Sequence, residues 1–438
     1  MENTKNNLAG TGKDTHSLLE SLTKGNYFSR SGTNELKCED VRISQIASVV
    51  GTPFYVYSSK YFTDRYNSLT HALSGCDHKI FYAVKSNYNI NIIRHLHELG
   101  CGADVNSLGE MYRAEQAGVP ADEILLGGVG KSAEEISYAI DKNILLFKVE
   151  SVAELYLINQ IAELSGKKAR VALRVNPDVD PLTHPYISTG LAENKFGIPI
   201  GDAEAIYLDK SLKNVEFTGI DMHLGSQIAS ISPYTEAVDK LLALCARLKN
   251  AGVELHHLDL GGGFGVQYSG ENDFPVPAFR DALLEKLNSS GMKIFLEPGR
   301  YFSANSAALV TKILYLKTNG EKNFLVVDAG MSELIRPSLY GAYHQIIPVT
   351  PSNNDPKVYD IVGPLCESGD FLGKEQEIAE PSSGNLLAVL STGAYGMVMA
   401  SNYNARLRPA EVLVDGSQWK LIRKRETLEQ LIQNEENI

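Results

Sequence analysis

The sequence predicts an α/β protein: a TIM-like (β/α)8 barrel plus a second, β-rich domain (a β-sandwich or barrel) built from both chain ends. Three observations predict it. Eight short apolar runs alternate with helical patterns between Ile80 and Glu297, the rhythm of parallel strands joined by crossover helices. Three of those helices open on Ser-x-x-Glu, at Ser107/Glu110, Ser132/Glu135 and Ser151/Glu154, the signature of a capping box soon after a strand end. After Arg300 the rhythm changes, and Gly and Pro turns separate β-type segments with only short helical runs between them.

Taken in order, residues 1–25 are polar and rich in Asn, Gly and Thr. They predict a mobile tail, with no apolar core of a secretory leader. Tyr27–Ile46 predicts one or two strands and a short helix. Phe54–Tyr57 reads as a brief strand and Ser59–Leu73 as a helix. The eight barrel strands fall at Ile80–Val84, Gly102–Val105, Ile124–Leu126, Ile144–Phe147, Val171–Val175, Phe217–His223, Leu255–Leu260 and Met292–Glu297. A doubly wound open sheet has the same periodicity and is the alternative architecture. Beyond the barrel, Ala307–Thr318, Asn323–Asp328, Lys357–Val362, Leu386–Leu390 and Glu411–Val414 read as strands, and Ile422 onward as a charged helical tail. The expected domains are a barrel over 53–302 and a β-rich domain over 26–52 and 303–438, since chain ends often lie close together.

Composition narrows the function. The 438 residues are 43% hydrophobic and 21% charged, with a net charge of -12, which describes an ordinary globular protein. The basic residues are scattered, so nothing marks a nucleic-acid or anionic-lipid partner. No apolar run reaches the length of a membrane span. Five cysteines, odd in number and without a C-x-x-C, argue against a disulfide framework or structural zinc and for a reducing cytoplasm. His95 and His97 diverge on a helix, and His256 and His257 point to opposite faces of a strand, so no metal site is expected.

Catalytic groups of such a barrel sit at the C-terminal strand ends, and reactive residues recur there. Lys85 follows the first strand. Arg174 and Asn176 end the fifth. His223 ends the sixth, with Ser226 just beyond. Gly261, Gly262 and Gly263 end the seventh, and Glu297 the eighth, with Arg300 following. Each has an ordinary reading on its own: a surface lysine, a tight turn, a core histidine, a surface carboxylate. Together they suit one ligand. A desolvated lysine is a nucleophile toward a carbonyl. Glycines after a strand turn backbone N–H groups toward an anion, and Ser226 adds a hydroxyl. A carboxylate can hold a proton on a ring nitrogen, and a histidine can stack on a flat ring. A lysine, a phosphate cradle and an acid for a pyridinium are what pyridoxal 5'-phosphate requires. The second domain adds Arg336 and Tyr340, the loop bearing Cys366 and Glu367, and Tyr395. A loop cysteine suits proton transfer, and arginine suits a substrate carboxylate.

The motifs FYAVKSN, NKFGI, HLGSQ, LGGGFG, EPGR, LIRPSLYGAYH, GPLCESGDFL and GAYG, in that order between Phe54 and Val412, resemble the diaminopimelate decarboxylases. These belong to the alanine-racemase-like class of pyridoxal-phosphate enzymes. The resemblance implies that Lys85 carries the cofactor, that Glu297 pairs with its ring nitrogen and that His223 stacks on the ring. It assigns Ser226, Gly261 to Gly263, Gly299, Arg300 and Tyr395 to the phosphate and its surroundings. Arg300, Arg336, Tyr340 and Tyr395 would contact the substrate, with the arginines on its distal carboxylate, and Glu367 would take its distal amine. Cys366 would donate a proton, reaching in with Glu367 from the other subunit of a homodimer. In ADVNSLGE, Asn106 and Leu108 depart from the family pattern. The implied reaction is conversion of meso-2,6-diaminopimelate to L-lysine and CO2, the last step of lysine biosynthesis. An ornithine, lysine or arginine decarboxylase on the same scaffold is the nearest alternative. An inactive regulatory homologue is a further one, opposed by the presence of both the lysine and the glycine loop.

Overall fold

Eight parallel strands form the barrel of a computed structural model that describes residues 15–32, 34–180 and 195–436. They are β1 (His78–Ala83), β2 (Gly102–Val105), β3 (Ile124–Leu126), β4 (Leu146–Val149), β5 (Ala169–Asn176), β6 (Val215–Asp221), β7 (His257–Asp259) and β8 (Lys293–Leu296). Each pairs with its sequence neighbours, β8 returns to β1, and β4 pairs with β5, so the sheet closes and leaves no edge. Closure decides against the open doubly wound sheet. A two-residue strand, Ile198–Pro199, lies beside the end of β5; Asn194 of NKFGI falls outside the described residues.

Local chemistry starts and stops the barrel helices. Asn89 caps Ile90–Leu99 by accepting from the Asn91 amide, and Gly100 ends that helix in the left-handed conformation, as a Cβ-free residue does most cheaply. Ser107, Ser132 and Ser151 each accept from the amide of the glutamate three residues on. Only Ser132/Glu135 completes the reciprocal box. Glu110 reaches one residue further back, to the Asn106 amide, and Glu154 is drawn instead to the buried Lys131 ammonium at 2.7 Å.

The barrel unit comprises Phe62–Val266 and Asn272–Ser303. Its interior is layered. Phe81, Leu125, Leu146, Ala172 and Phe295 form one apolar cluster. Strand side chains alternate faces, so residues two further along point the same way. Two residues beyond Leu146 and Phe295 come Lys148 and Glu297, one step nearer the C-terminal rim.

The second unit holds the chain up to Tyr61, Gln267–Glu271 and the chain from Ala304 onward. Its main sheet runs Phe371–Ala379, Pro356–Val362, Lys322–Val327, Ala307–Asn319, Phe54–Ser58, Ala410–Asp415 and Gln418–Arg423, with Leu386–Leu390 also on Ala307–Asn319. Phe54–Ser58, expected at the start of the barrel, is instead a central strand here. All five of its residues are buried, and it pairs with Ala307–Asn319 on one side and Ala410–Asp415 on the other. A strand buried on both faces belongs between two others. The expected N-terminal tail is partly helical: Thr15–Lys24 forms a helix whose Leu18 and Leu22 are 1% and 2% exposed in the core of this unit. A polar composition concealed an apolar pair at helical spacing. Likewise the expected C-terminal helical tail begins as strand Gln418–Arg423, antiparallel to Ala410–Asp415.

Candidate active site

A charged layer lies between the apolar floor of the barrel and its C-terminal rim. Lys148 of β4 touches Asp104 of β2 at 2.8 Å and closely approaches Glu297, which follows β8. These strands are not neighbours, so the contacts cross the barrel interior. One carboxylate oxygen from each of Asp221, Asp259 and Glu297 lies within 4.8 Å of the other two. All five groups are buried. Burial alone would lower the Lys148 amine, but Asp104, Glu297, Asp221 and Asp259 together raise it well above the usual lysine value. Burial pushes the Asp221 carboxyl up to about 7, with Lys148 opposing and Glu297 adding to the shift. Asp259 is raised well above its ordinary value by burial and then by Glu297 and Asp221. Lys148 therefore stays an ammonium among buried carboxyl groups, of which Asp221 and Asp259 are pushed toward the protonated form.

Lys85 stands directly above β1, in a single 3-10 turn, Val84–Ser86. The turn is fixed from below. Ser86 Oγ donates to the Ala83 carbonyl at 2.9 Å and lies 3.1 Å from Tyr82 Oη, which donates to the Asn87 carbonyl at 2.9 Å. The Ala83 amide donates to the Pro298 carbonyl at 3.2 Å. A Cβ on Gly299 would sit 3.1 Å from Ala83 Cβ and 3.2 Å from Ser86 Cβ. The EPGR segment is thus laid against the lysine turn, and Lys85 and Glu297 share one end of the barrel.

The glycine loop is a close approach of backbones. A Cβ on Gly261 would lie 2.5 Å from the Met222 carbonyl oxygen, one on Gly262 2.1 Å from that of Glu297, and one on Gly263 2.5 Å from that of Gly225. Any side chain would push apart the ends of β6, β7 and β8. The sequence suggested three amides for an anion. The structure uses two of them internally: Gly261 N–H donates to Asp259 Oδ1 at 2.8 Å and Gly262 N–H to His223 Nδ1 at 3.2 Å. An Nδ1 that accepts leaves the imidazole neutral with its proton on Nε2. Burial, helped by the cations Lys85, Arg174 and Lys148, pushes His223 well below its usual range, which agrees. Ser226 Oγ accepts from Arg300 Nε at 3.1 Å, so hydroxyl and guanidinium arrive together at the rim. Arg174 pairs with the buried Glu150 at 2.7 Å, and Glu150 also accepts from the Gly197 amide at 2.9 Å.

The remaining candidates belong to the second unit. Arg336 opens the short helix Arg336–Tyr340 and is buried. Its Nη1 lies 2.9 Å from His344 Nε2, and its guanidinium lies 4.9 Å from the Tyr268 ring centroid. Since His344 Nδ1 faces the Leu390 carbonyl at 2.9 Å, that nitrogen donates and Nε2 accepts from Arg336. Tyr340 is 55% exposed. Tyr395 has φ 57°, a left-handed conformation uncommon outside glycine. Cys366 and Glu367 are exposed on a loop. The Cys366 amide donates to Asn404 Oδ1 at 2.9 Å, and Glu367 Oε1 accepts from the Gly369 amide at 3.0 Å. The loop is organised by Asp370, which accepts from the Met331 and Leu365 amides at 2.6 and 2.7 Å.

Lys148 and Asp370 were missed from sequence. The expected fourth strand, Ile144–Phe147, stopped one residue short of Lys148, because a lysine usually ends an apolar run. The available signal was alternation: Leu146, Lys148 and Glu150 share a face, and Lys148 sits between Phe147 and Val149. Asp370 lay inside a quoted motif without a task.

These groups fit pyridoxal phosphate in the chemistry of their donors. An amine and a carboxylate share the rim, a neutral imidazole is held by an amide of the glycine loop, and a serine–arginine pair suits an anion. Similarity points the same way. The family model described as "Pyridoxal-dependent decarboxylase, pyridoxal binding domain" matches residues 60–304, more than half the chain, which sets the class: pyridoxal-dependent decarboxylases. Curated relatives sharpen it. Diaminopimelate decarboxylase of Aquifex aeolicus is 48% identical over 95% of this chain and 99% of its own, and that of Haemophilus influenzae 47% over 91% and 96%. The crystal structure of the Helicobacter pylori diaminopimelate decarboxylase complexed with L-lysine superposes with a TM-score of 0.86 at 40% identity, covering 89% of this chain and 98% of that one. The chain belongs to the diaminopimelate decarboxylase family, and it is a carboxy-lyase.

Proposed function

We propose that this enzyme decarboxylates meso-2,6-diaminopimelate to L-lysine and CO2, the last step of lysine biosynthesis, with pyridoxal 5'-phosphate as cofactor. The observation that carries it is near-complete coverage of relatives bearing that activity in their name, at 47–48% identity. L-lysine, the product, is the ligand in the Helicobacter pylori structure.

When bound, the cofactor supplies an electron sink for the pair left by the departing carboxylate. The rest falls to side chains. Lys85 would hold the cofactor through its amine. Glu297 keeps a proton at the ring nitrogen. His223, neutral and oriented by the Gly262 amide, offers a flat face to the ring. Ser226, Arg300, Gly299, the glycine loop Gly261 to Gly263 and Tyr395 receive the phosphate and its surroundings. Arg336 and Tyr340, with Arg300, take the substrate's distal carboxylate, and Glu367 its distal amine. Cys366 delivers the replacing proton at the carbon that loses CO2. An exposed loop bearing Cys366 and Glu367 suits a homodimer in which each subunit completes the other's site. Five free cysteines suit a reducing cytoplasm, and no helix among the described residues is long and apolar enough to cross a membrane.

The test is a substrate panel. With pyridoxal phosphate present, meso-diaminopimelate should release CO2 and yield lysine, while lysine, ornithine and arginine should react far more slowly. Turnover of one of these three at a comparable or greater rate would reassign the substrate.

A further inference from the structure

The mechanism above leaves the buried ammonium of Lys148 unused. Lys148 lies across the barrel from Asp104 and against Glu297, the carboxylate assigned to the cofactor's ring nitrogen. Its placement is built. The Lys148 carbonyl accepts from Lys131 Nζ at 2.7 Å, and Lys131 also reaches the Gly128 carbonyl at 2.8 Å and Glu154 at 2.7 Å. A Cβ on Gly127 would meet Lys148 Cε at 3.0 Å, so the loop after β3 also presses on its stem. A lysine anchored this firmly inside a barrel has a defined electrostatic target.

We infer that Lys148 is a positioning residue whose ammonium, held between Asp104 and Glu297, keeps the proton shared by Glu297 and the cofactor ring on the ring nitrogen. The inference rests on the reading of Glu297 as the partner of that nitrogen. Moving the shared proton from nitrogen to Glu297 would bring positive charge toward Lys148 and cancel the negative charge the lysine contacts, and like charges oppose that shift. Without Lys148, Glu297 would lose the cation it contacts and remain buried. A carboxyl removed from water with no cation beside it keeps its proton. The ring would then become neutral and a poorer electron sink.

The experiment loads the full-length enzyme with pyridoxal phosphate labelled with 15N in the ring and records the ring-nitrogen resonance at neutral pH. Wild type should show a protonated ring. Lys148→Met should move the resonance most of the way toward that of neutral pyridine, and Lys148→Arg should keep it near the wild-type position. Should Lys148→Met fail to fold, Lys148→Gln carries the same expectation, since it retains hydrogen-bond donors while losing the charge. A lysine that merely braces the barrel would lower thermal stability without moving the resonance. Glu297→Gln separates the two readings. If Glu297→Gln moves the resonance but neither neutral Lys148 variant does, the role given to Lys148 is wrong. If Glu297→Gln leaves the resonance in place, the reading of Glu297 fails first.

Discussion

The amide of Ala83 donates to the carbonyl of Pro298 at 3.2 Å. Ala83 is two residues before Lys85, and Pro298 is the residue after Glu297. One backbone bond between the ends of β1 and β8 therefore sets both the amine and the acid. The two groups come from opposite ends of the barrel sequence, and closing the sheet makes them neighbours. Two side chains tied through rigid strand ends need no further ordering when a ligand arrives.

Replacing Lys85 by Ala removes the amine and leaves the turn, since the contacts of Val84–Ser86 are made by Ser86, Tyr82 and Asn87. Lys85→Ala should fold with a near-native melting temperature. It should lose the visible absorbance of the cofactor-loaded enzyme and lose turnover to background. Retention of that absorbance would place the cofactor on another lysine.

Gly262→Ala tests the glycine loop. The added Cβ meets the Glu297 carbonyl oxygen at 2.1 Å, and neither backbone can move without shifting a strand end. Overpacking of this kind costs about 1–3 kcal/mol. The variant should melt several degrees lower and bind pyridoxal phosphate more weakly, as read by titration of the apoenzyme. Wild-type affinity would show that the loop lies away from the cofactor.

Asp221→Asn tests the charged layer. Asp221 is buried, and neither of its carboxylate oxygens has a hydrogen-bond partner among the described residues. Its carboxyl is held up at about 7, against about 3.9 in an unfolded chain. The folded state therefore keeps a proton that the unfolded chain releases. Asp221's contribution to stability is intact below about pH 4 and is lost as pH rises toward 7. Asp221→Asn lacks this loss. Its stability relative to wild type should climb with pH across that window, by at most about 1.4 kcal/mol per pH unit, and then level off. Urea midpoints across the window measure it, and a pH-independent difference would mean that Asp221 ionises normally.

Cys366→Ala separates proton delivery from binding. The Cys366 backbone is held by Asn404, and its loop by Asp370, so losing the thiol should not disturb the loop. Decarboxylation should fall by about 10²–10⁴-fold, the usual worth of a positioned acid, while the cofactor spectrum stays unchanged. A loss below tenfold would move the proton-donor role elsewhere.

The sequence determined by itself the class of fold, the eight strands within a few residues and the rim residues, because apolar period and strand-end position are local properties of the chain. It also carried the family, through motifs kept in order. Tertiary structure decided what depends on distant partners. Phe54–Ser58 joined the β-rich sheet because two strands hundreds of residues away pair with its two edges. Leu18 and Leu22 were drawn from an apparent tail into a core. Lys148, which in sequence reads as the end of an apolar run, became the centre of a charged layer, because only closing the barrel sets Asp104 and Glu297 around it. Burial removes water from such a group, and the partners that replace the water are chosen by the fold.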